Sequence, residues 1–282
     1  MRSPIRSAAE LSKAFPAWLC DVWGVIHDGT RIFPEAQAAL FAHRKAGGVC
    51  ILISNAPRPA ASVIAQLDGL GLSREAYDGV VTSGDITVKL AGARQGESYF
   101  LVGPEVKDAH LLETLANPRV RQAEEAKFIL CTGPENDEVE TAADYEERLK
   151  AWVSMGIPMI CANPDRVVQR GNRLIVCAGS LAERYAALGG NVVMAGKPYP
   201  PIYEAAVGEA MRLKSGLSRG QIVAIGDGMV TDAEGAHAQG LALAFIRGGI
   251  HGADFADDVA AEAVLKARFP GIQLACVLAQ LA

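Results

Sequence analysis

Basic runs, long apolar stretches and paired-cysteine motifs are all missing from this chain of 282 residues. Its 27 lysines and arginines stand against 32 acidic residues, for a formal charge of −5, and nowhere do the basic residues cluster into a run. That balance offers no general electrostatic footprint for nucleic acid or an anionic membrane, so neither is expected as a partner. No stretch of about 18 consecutive apolar residues occurs, which excludes a hydropathy-type membrane span. The opening MRSPIRSAAELSKAFPAW has no continuous apolar core of the kind a secretory signal needs, and a cytoplasmic protein is expected. The six cysteines, Cys20, Cys50, Cys131, Cys161, Cys177 and Cys276, are scattered among mostly apolar neighbours, with no CxxC and no HExxH. They read as reduced core thiols rather than a zinc site or a disulfide framework.

What is present is an ordinary globular composition, half apolar and 21% charged, in a length that suits one large domain or a core with a second module. Short apolar runs alternate with helix-period segments from residue 17 onward, the pattern of a parallel α/β sheet. Strands are predicted at Trp18–Val22, Val49–Ser54 and Gly79–Thr82, with helices near Glu35–Ala46 and Pro59–Leu70. In the last third, strands at Asn191–Ala195, Gln221–Ile225 and Leu241–Ile246 are expected to rejoin the same sheet, with helices near Pro201–Lys214, Thr231–Gln239 and Phe255–Ala267. Between the two blocks, SYFLVG, KFILCTG, IPMICANPD and RLIVCAG alternate with helices, one of them at Ala142–Val153, enough for a small α/β module with its own core. Because it interrupts a sheet that resumes later, it reads as an insertion. The expected division is 1–84 with 190–282 as core and 85–189 as cap.

Four predicted strands end in polar residues: Asp21 after WLC, Ser54-Asn55 after CILI, Lys197 after VVMAG, and Gly226-Asp227 after IVAI. Ligands of open parallel sheets bind beyond the carboxyl ends of strands, so these four places are expected to converge on one crevice. Carboxylates at Asp21, Asp227 and Asp232, a lysine and a small hydroxyl have the chemistry to hold Mg²⁺ and a phosphate together. Each residue also has a plainer reading. Asp21 suits a strand-end turn, Thr231 or Asp232 a helix cap, Ser54-Asn55 a strand stop, and Lys197 an exposed loop before Pro198. The Gly226–Gly228 pair is a poor dinucleotide loop, since Asp227 would repel a pyrophosphate and Thr231 stands at the third glycine position.

The pieces DVWGVIHDG (21–29), ILISNAPR (51–58), ANPD (162–165), AGKPYPPIYEAA (195–206) and IGDGMVTD (225–232) occur in an order that resembles the haloacid dehalogenase (HAD) superfamily, subfamily IIA, the NagD-like phosphatases. The resemblance spans essentially the whole chain. It implies a Rossmann-like parallel-sheet core with an inserted α/β cap of the C2 type, Mg²⁺ as cofactor, and a small phosphorylated metabolite as substrate; a homo-oligomer is compatible with it. By position it implies that Asp21 forms an aspartyl-phosphate and binds the metal with the Trp23 backbone carbonyl and Asp227, while Asp232 supports them from behind. Ser54 and Asn55 would hold the phosphoryl group, Lys197 would pair with phosphate and nucleophile, and Asn163 or Asp165 would reach substrate from the cap.

The departure from that pattern is Trp23, where phosphatases of the family carry an aspartate that protonates the leaving oxygen and later activates water. Indole can do neither. Three outcomes follow: a slow or selective phosphatase, an enzyme with another proton donor such as His27 or Asp28, or a phospho-ligand binder that has abandoned hydrolysis. Arg58, Arg166 and His43, His110, His237 and His251 are assigned to the surface or the framework.

Overall fold

A computed structural model describes residues 5–170, 173–249 and 254–282; His251 lies outside them. In chain order the described strands are β1 (Ala17–Asp21), β2 (Val49–Ser54), β3 (Gly79–Thr82), β4 (Tyr99–Val102), β5 (Arg119–Val120), β6 (Phe128–Cys131), β7 (Met159–Cys161), β8 (Val167–Arg170), β9 (Arg173–Val176), β10 (Val192–Met194), β11 (Ile222–Gly226), β12 (Ala242–Ile246) and β13 (Leu274–Leu278). The chain groups into two compact units. One comprises the chain up to Ser54, Ile64–Val81 and Ile202–Ala282; the other comprises Asn55–Val63 and Thr82–Pro201.

The first unit is built on a six-stranded sheet in the order β13-β12-β11-β1-β2-β3, parallel in register from β13 to β2. Numbered by appearance within this sheet, that is the doubly wound 3-2-1-4-5-6 order. Every residue of β1, β11 and β12 is buried, as strands covered on both faces require. Trp18 of β1 is fully buried and stacks on His43 with ring centroids 3.9 Å apart. The Ser12 hydroxyl meets His43 Nδ1 at 2.8 Å, Nε2 bonds the Val49 carbonyl at 3.2 Å, and burial pushes the imidazole down to about 4. His43 is therefore a neutral framework residue. Gly48 makes room for it, since a Cβ there would stand 2.2 Å from the ring.

The second unit has a five-stranded parallel sheet in the order β10-β7-β6-β4-β5. Alternate side chains of its central strand β6 feed two cores. Ile129 and Cys131 pack with Val102, Tyr145, Leu149 and Tyr185, while Phe128 and Leu130 pack with Tyr99, Leu101 and Ile160.

One expectation about strand partners is corrected here. The run at Asn191–Ala195 forms β10, but it pairs with β7 in the second sheet and does not rejoin the first. Val193 is 40% exposed, the mark of an edge strand, and an apolar run alone does not say which of two sheets supplies its single neighbour. The run RLIVCAG becomes β9, which forms an antiparallel pair with β8 outside both larger sheets. The segment expected as one helix at Thr231–Gln239 is a π-helical turn, Met229–Ala233, followed by an α-helix, Glu234–Ala238. The six cysteines are all free and buried.

One buried carboxyl in the second unit makes a stability prediction. Asp108 is pushed up to about 6, first by burial and also by Asp137, against the lowering effects of the Thr132 hydroxyl, Lys107 and Arg58. A carboxyl that holds its proton more tightly in the folded state loses stability as pH rises from its unfolded value to its folded one. The full cost is therefore present above pH 6 and absent below about pH 4. Asp108→Asn is expected to raise stability at pH 7.5 by on the order of 1–3 kcal/mol and to leave it unchanged at pH 4, as read from urea unfolding midpoints. A loss of stability at pH 7.5 would refute this.

Candidate active site

In the six-stranded sheet the chain runs outward from β1 through β2 to β3 on one side, and from β11 to β12 and β13 on the other. The strands diverge between β1 and β11, and the crevice beyond their carboxyl ends is where such sheets bind ligands. Asp21 is the last residue of β1 and Asp227 directly follows β11. Both are buried, at 8% and 3% exposure, and with Asp232 they form a cluster whose ligand oxygens all lie within 4.8 Å of one another.

Local chemistry orients each carboxylate. The Val22 N–H donates to Asp21 Oδ1 at 2.7 Å. Asp232 sits on the π-helical turn, a widened turn often found at functional sites, and its Oδ2 accepts the Gly228 N–H at 3.0 Å and the Thr231 hydroxyl at 3.3 Å. Asp232 thus caps the loop that carries Asp227. Asp227 is fenced by two glycines: a Cβ on Gly24 would stand 2.2 Å from its Oδ2, and a Cβ on Gly249 2.0 Å from it. Gly24 also has φ +82, a conformation that glycine tolerates without strain. Three clustered carboxylates repel one another, and this set of hard oxygens fits Mg²⁺, which takes a few oxygens and keeps its remaining waters. Neither glycine was assigned a part from sequence. For Gly24 the sequence signal is its place in DVWG, three residues after Asp21.

The loop after β1 is tightly tied, with Gly24 N–H donating to the His27 carbonyl and Ile26 N–H to the Val22 carbonyl, each at 2.9 Å. Trp23 is 38% exposed. Its indole meets the His27 ring at 75° with centroids 5.2 Å apart, and its six-membered ring lies over Gly29, where a Cβ would come within 2.4 Å of it. His27 is buried; its Nδ1 accepts the Gly29 N–H at 2.8 Å, and burial lowers its pKa. Asp28 accepts the Thr30 N–H at 2.9 Å, the Thr30 hydroxyl at 2.6 Å and the Arg31 N–H at 3.0 Å. Those bonds hold its carboxyl well below the usual range. Near neutral pH His27 is thus uncharged and Asp28 ionised, and neither has a readily released proton to give.

Of the residues expected to hold the phosphoryl group or reach substrate, Ser54 ends β2 in the first unit, and Asn55, Lys197, Asn163 and Asp165 lie in the second. Asn55 joins the loops after β10 and β7. Its Oδ1 accepts the Lys197 N–H at 2.7 Å, and its amide donates to the Lys197 carbonyl at 3.1 Å and to Asp165 Oδ1 at 2.8 Å. Lys197 is only 2% exposed, and its peptide bond to Pro198 is cis. Gly196 lets these loops close, since a Cβ there would lie 2.4 Å from Asn55 Oδ1. Asn163 turns its Oδ1 back to the Asp165 N–H at 3.0 Å and so shapes its own turn. Arg166 is exposed and pairs with Glu183, whereas Arg58 is half-buried, and burial lowers its pKa.

Two family models match: the haloacid dehalogenase-like hydrolase model over residues 18–117 and the HAD-hydrolase-like model over residues 194–267. Among solved structures, a hydrolase of the haloacid dehalogenase-like family from Brucella suis 1330 is 40% identical, covers 99% of this chain and 100% of its own, and superposes with a TM-score of 0.85. A possible sugar phosphatase of the HAD superfamily from Cytophaga hutchinsonii is 20% identical over 99% of both chains, with a TM-score of 0.78. A glycerol phosphate phosphatase from Mycobacterium tuberculosis, in complex with magnesium, is 22% identical over 87% of this chain and 70% of its own, with a TM-score of 0.64. No curated protein matches. No helix among the described residues is long and apolar enough to cross a membrane. The clustered carboxylates at the divergence of a 3-2-1-4-5-6 sheet and the 40% identity over the full length of a known member lead to one conclusion: the chain belongs to the haloacid dehalogenase-like hydrolase family.

Proposed function

We propose that the protein is a Mg²⁺-dependent phosphatase of the NagD-like subfamily IIA, acting on a small phosphomonoester with an activated leaving group. The observation that carries this reading is the buried trio Asp21, Asp227 and Asp232 at the divergence of β1 and β11. Asp227 and Asp21, with the Trp23 carbonyl, would hold the cation, and Asp232 would orient Asp227. The bound cation would withdraw charge from the phosphoryl oxygens as it develops.

Asp21 attacks phosphorus in line, the bond from phosphorus to the ester oxygen breaks, and the leaving group departs with the electron pair. Water then attacks the aspartyl-phosphate, releasing phosphate and restoring the carboxylate. Ser54, Asn55 and Lys197 serve the phosphoryl group, and Asn55 sets the Lys197 backbone through its paired hydrogen bonds. Residues 85–189 serve as the cap that selects the ester, through Asn163, Asp165 and their neighbours. Because Trp23 offers no acid, the departing oxygen must leave largely unprotonated, which favours aryl and acyl phosphates over alkyl ones. The hydrogen bonds of His27 and Asp28 speak against either as a substitute donor.

The second reading, a silent phospho-ligand binder, is favoured by the same indole. Phosphate release from para-nitrophenyl phosphate separates the two. Release that falls at least about 100-fold in EDTA and returns with Mg²⁺ is the result expected of the enzyme. Tight ester binding with no release would select the binder.

A further inference from the structure

The indole of Trp23 is the side chain that the proposed chemistry leaves without a task, and its surroundings show that it is held in place. Trp23 stands two residues after Asp21, and the next residue, Gly24, abuts Asp227. Its rotamer is braced on two sides, by the edge-on His27 ring and by Gly29, which is bare of a side chain where the indole lies. The brace is itself secured: the Gly29 N–H fixes the His27 ring at 2.8 Å, and the backbone bridges from Trp23 to His27 and from His27 to Ile32 close the loop. An indole that is 38% exposed yet already ordered can stack on an incoming ring without losing further rotamer freedom. The other two tryptophans, Trp18 and Trp152, are buried at 0% and 5% exposure.

Resting on the phosphatase reading, we infer that Trp23 is a specificity-determining residue whose indole packs against a planar aromatic or heteroaromatic leaving group of the phosphoester. The side chain that forgoes protonation of the leaving oxygen selects for leaving groups that need none, because phenol-like oxygens depart as stable anions. Ring-on-indole packing contributes about 0.5–1.5 kcal/mol beyond area burial, a preference of roughly 3- to 10-fold.

The matched probes are phenylphosphonate and cyclohexylphosphonate, which share anion and bulk and differ in planarity and π-system, and which cannot be hydrolysed. Binding is measured by calorimetry on the full chain with Mg²⁺. Wild type is expected to favour the phenyl compound by about 3- to 10-fold. Trp23→Leu should bring the two within about twofold, and Trp23→Phe should restore most of the preference. Intrinsic fluorescence supplies an independent readout: phenylphosphonate should perturb the emission of wild type and leave that of Trp23→Leu unchanged. Equal affinity for the two probes in wild type, a phenyl preference that survives Trp23→Leu, or no phosphonate binding at all would overturn the inference. A Trp23-dependent preference without any phosphate release from para-nitrophenyl phosphate would keep the inference and sink the phosphatase reading. Release with no phenyl preference would do the reverse.

Discussion

Asp21→Asn is expected to abolish phosphate release, with a loss of about 10⁴-fold or more in kcat, because an amide cannot form the phosphoryl-enzyme bond and loss of a covalent nucleophile removes a whole catalytic unit. The fold should survive, since asparagine retains an oxygen to accept the Val22 N–H now bound at 2.7 Å. A second effect has the opposite sign. Three carboxylates with ligand oxygens within 4.8 Å repel one another in the absence of a cation. At an effective dielectric of about 20, an ionised pair 4.8 Å apart costs about 3.5 kcal/mol. Removing one charge should therefore raise the melting temperature in EDTA and narrow the stabilisation that Mg²⁺ gives wild type. Single-turnover assays and melts with and without Mg²⁺ measure both. A variant that keeps more than a tenth of wild-type turnover would remove Asp21 from the role of nucleophile.

Trp23→Asp is expected to raise turnover of alkyl phosphates such as glycerol phosphate by about 10²-fold, at the lower end of what general acid–base help supplies. Para-nitrophenyl phosphate should gain little, because its leaving oxygen needs little protonation. The backbone that presents residue 23 is set by bonds the substitution leaves alone, Gly24 N–H to the His27 carbonyl and Ile26 N–H to the Val22 carbonyl. The packing loss is bounded by the partial exposure of the indole and its ring contact with His27, about 1–2 kcal/mol. A folded Trp23→Asp that leaves the ratio of alkyl to aryl turnover unchanged would show that position 23 does not face the departing oxygen. The comparison also bears on the stacking proposal, since the same variant should lose the phenyl preference while gaining alkyl esters.

These expectations meet a physical constraint seen elsewhere in the loop. His27 and Asp28, the first ionisable groups to follow Trp23 in sequence, are both committed to shaping the turn. One is buried with its Nδ1 occupied, and the other is saturated by Thr30 and Arg31. The sequence VIHDG therefore offers residues of the right type in states unsuited to proton transfer, which only hydrogen-bond geometry reveals.

The linear sequence determined the local elements and the chemistry at their ends. Strands at Val49–Ser54 and Gly79–Thr82 coincide with their predicted bounds, because unbroken apolar runs closed by turn residues have few alternatives. The resemblance to the haloacid dehalogenase superfamily was legible in the order of the motifs that hold Asp21, Ser54, Lys197 and Asp227, each of which stands where an apolar run stops. Tertiary structure alone decided partners. It assigned Val192–Met194 to the second sheet and brought Asp21 beside Asp227, some 200 residues later, by pairing β1 with β11. It also gave Gly24, Gly29 and Gly249 their meaning as gaps that Asp227 and the indole fill. The physical reason is that periodicity records which faces a segment buries, whereas pairing between distant strands depends on long-range packing and loop closure, which a local pattern does not encode.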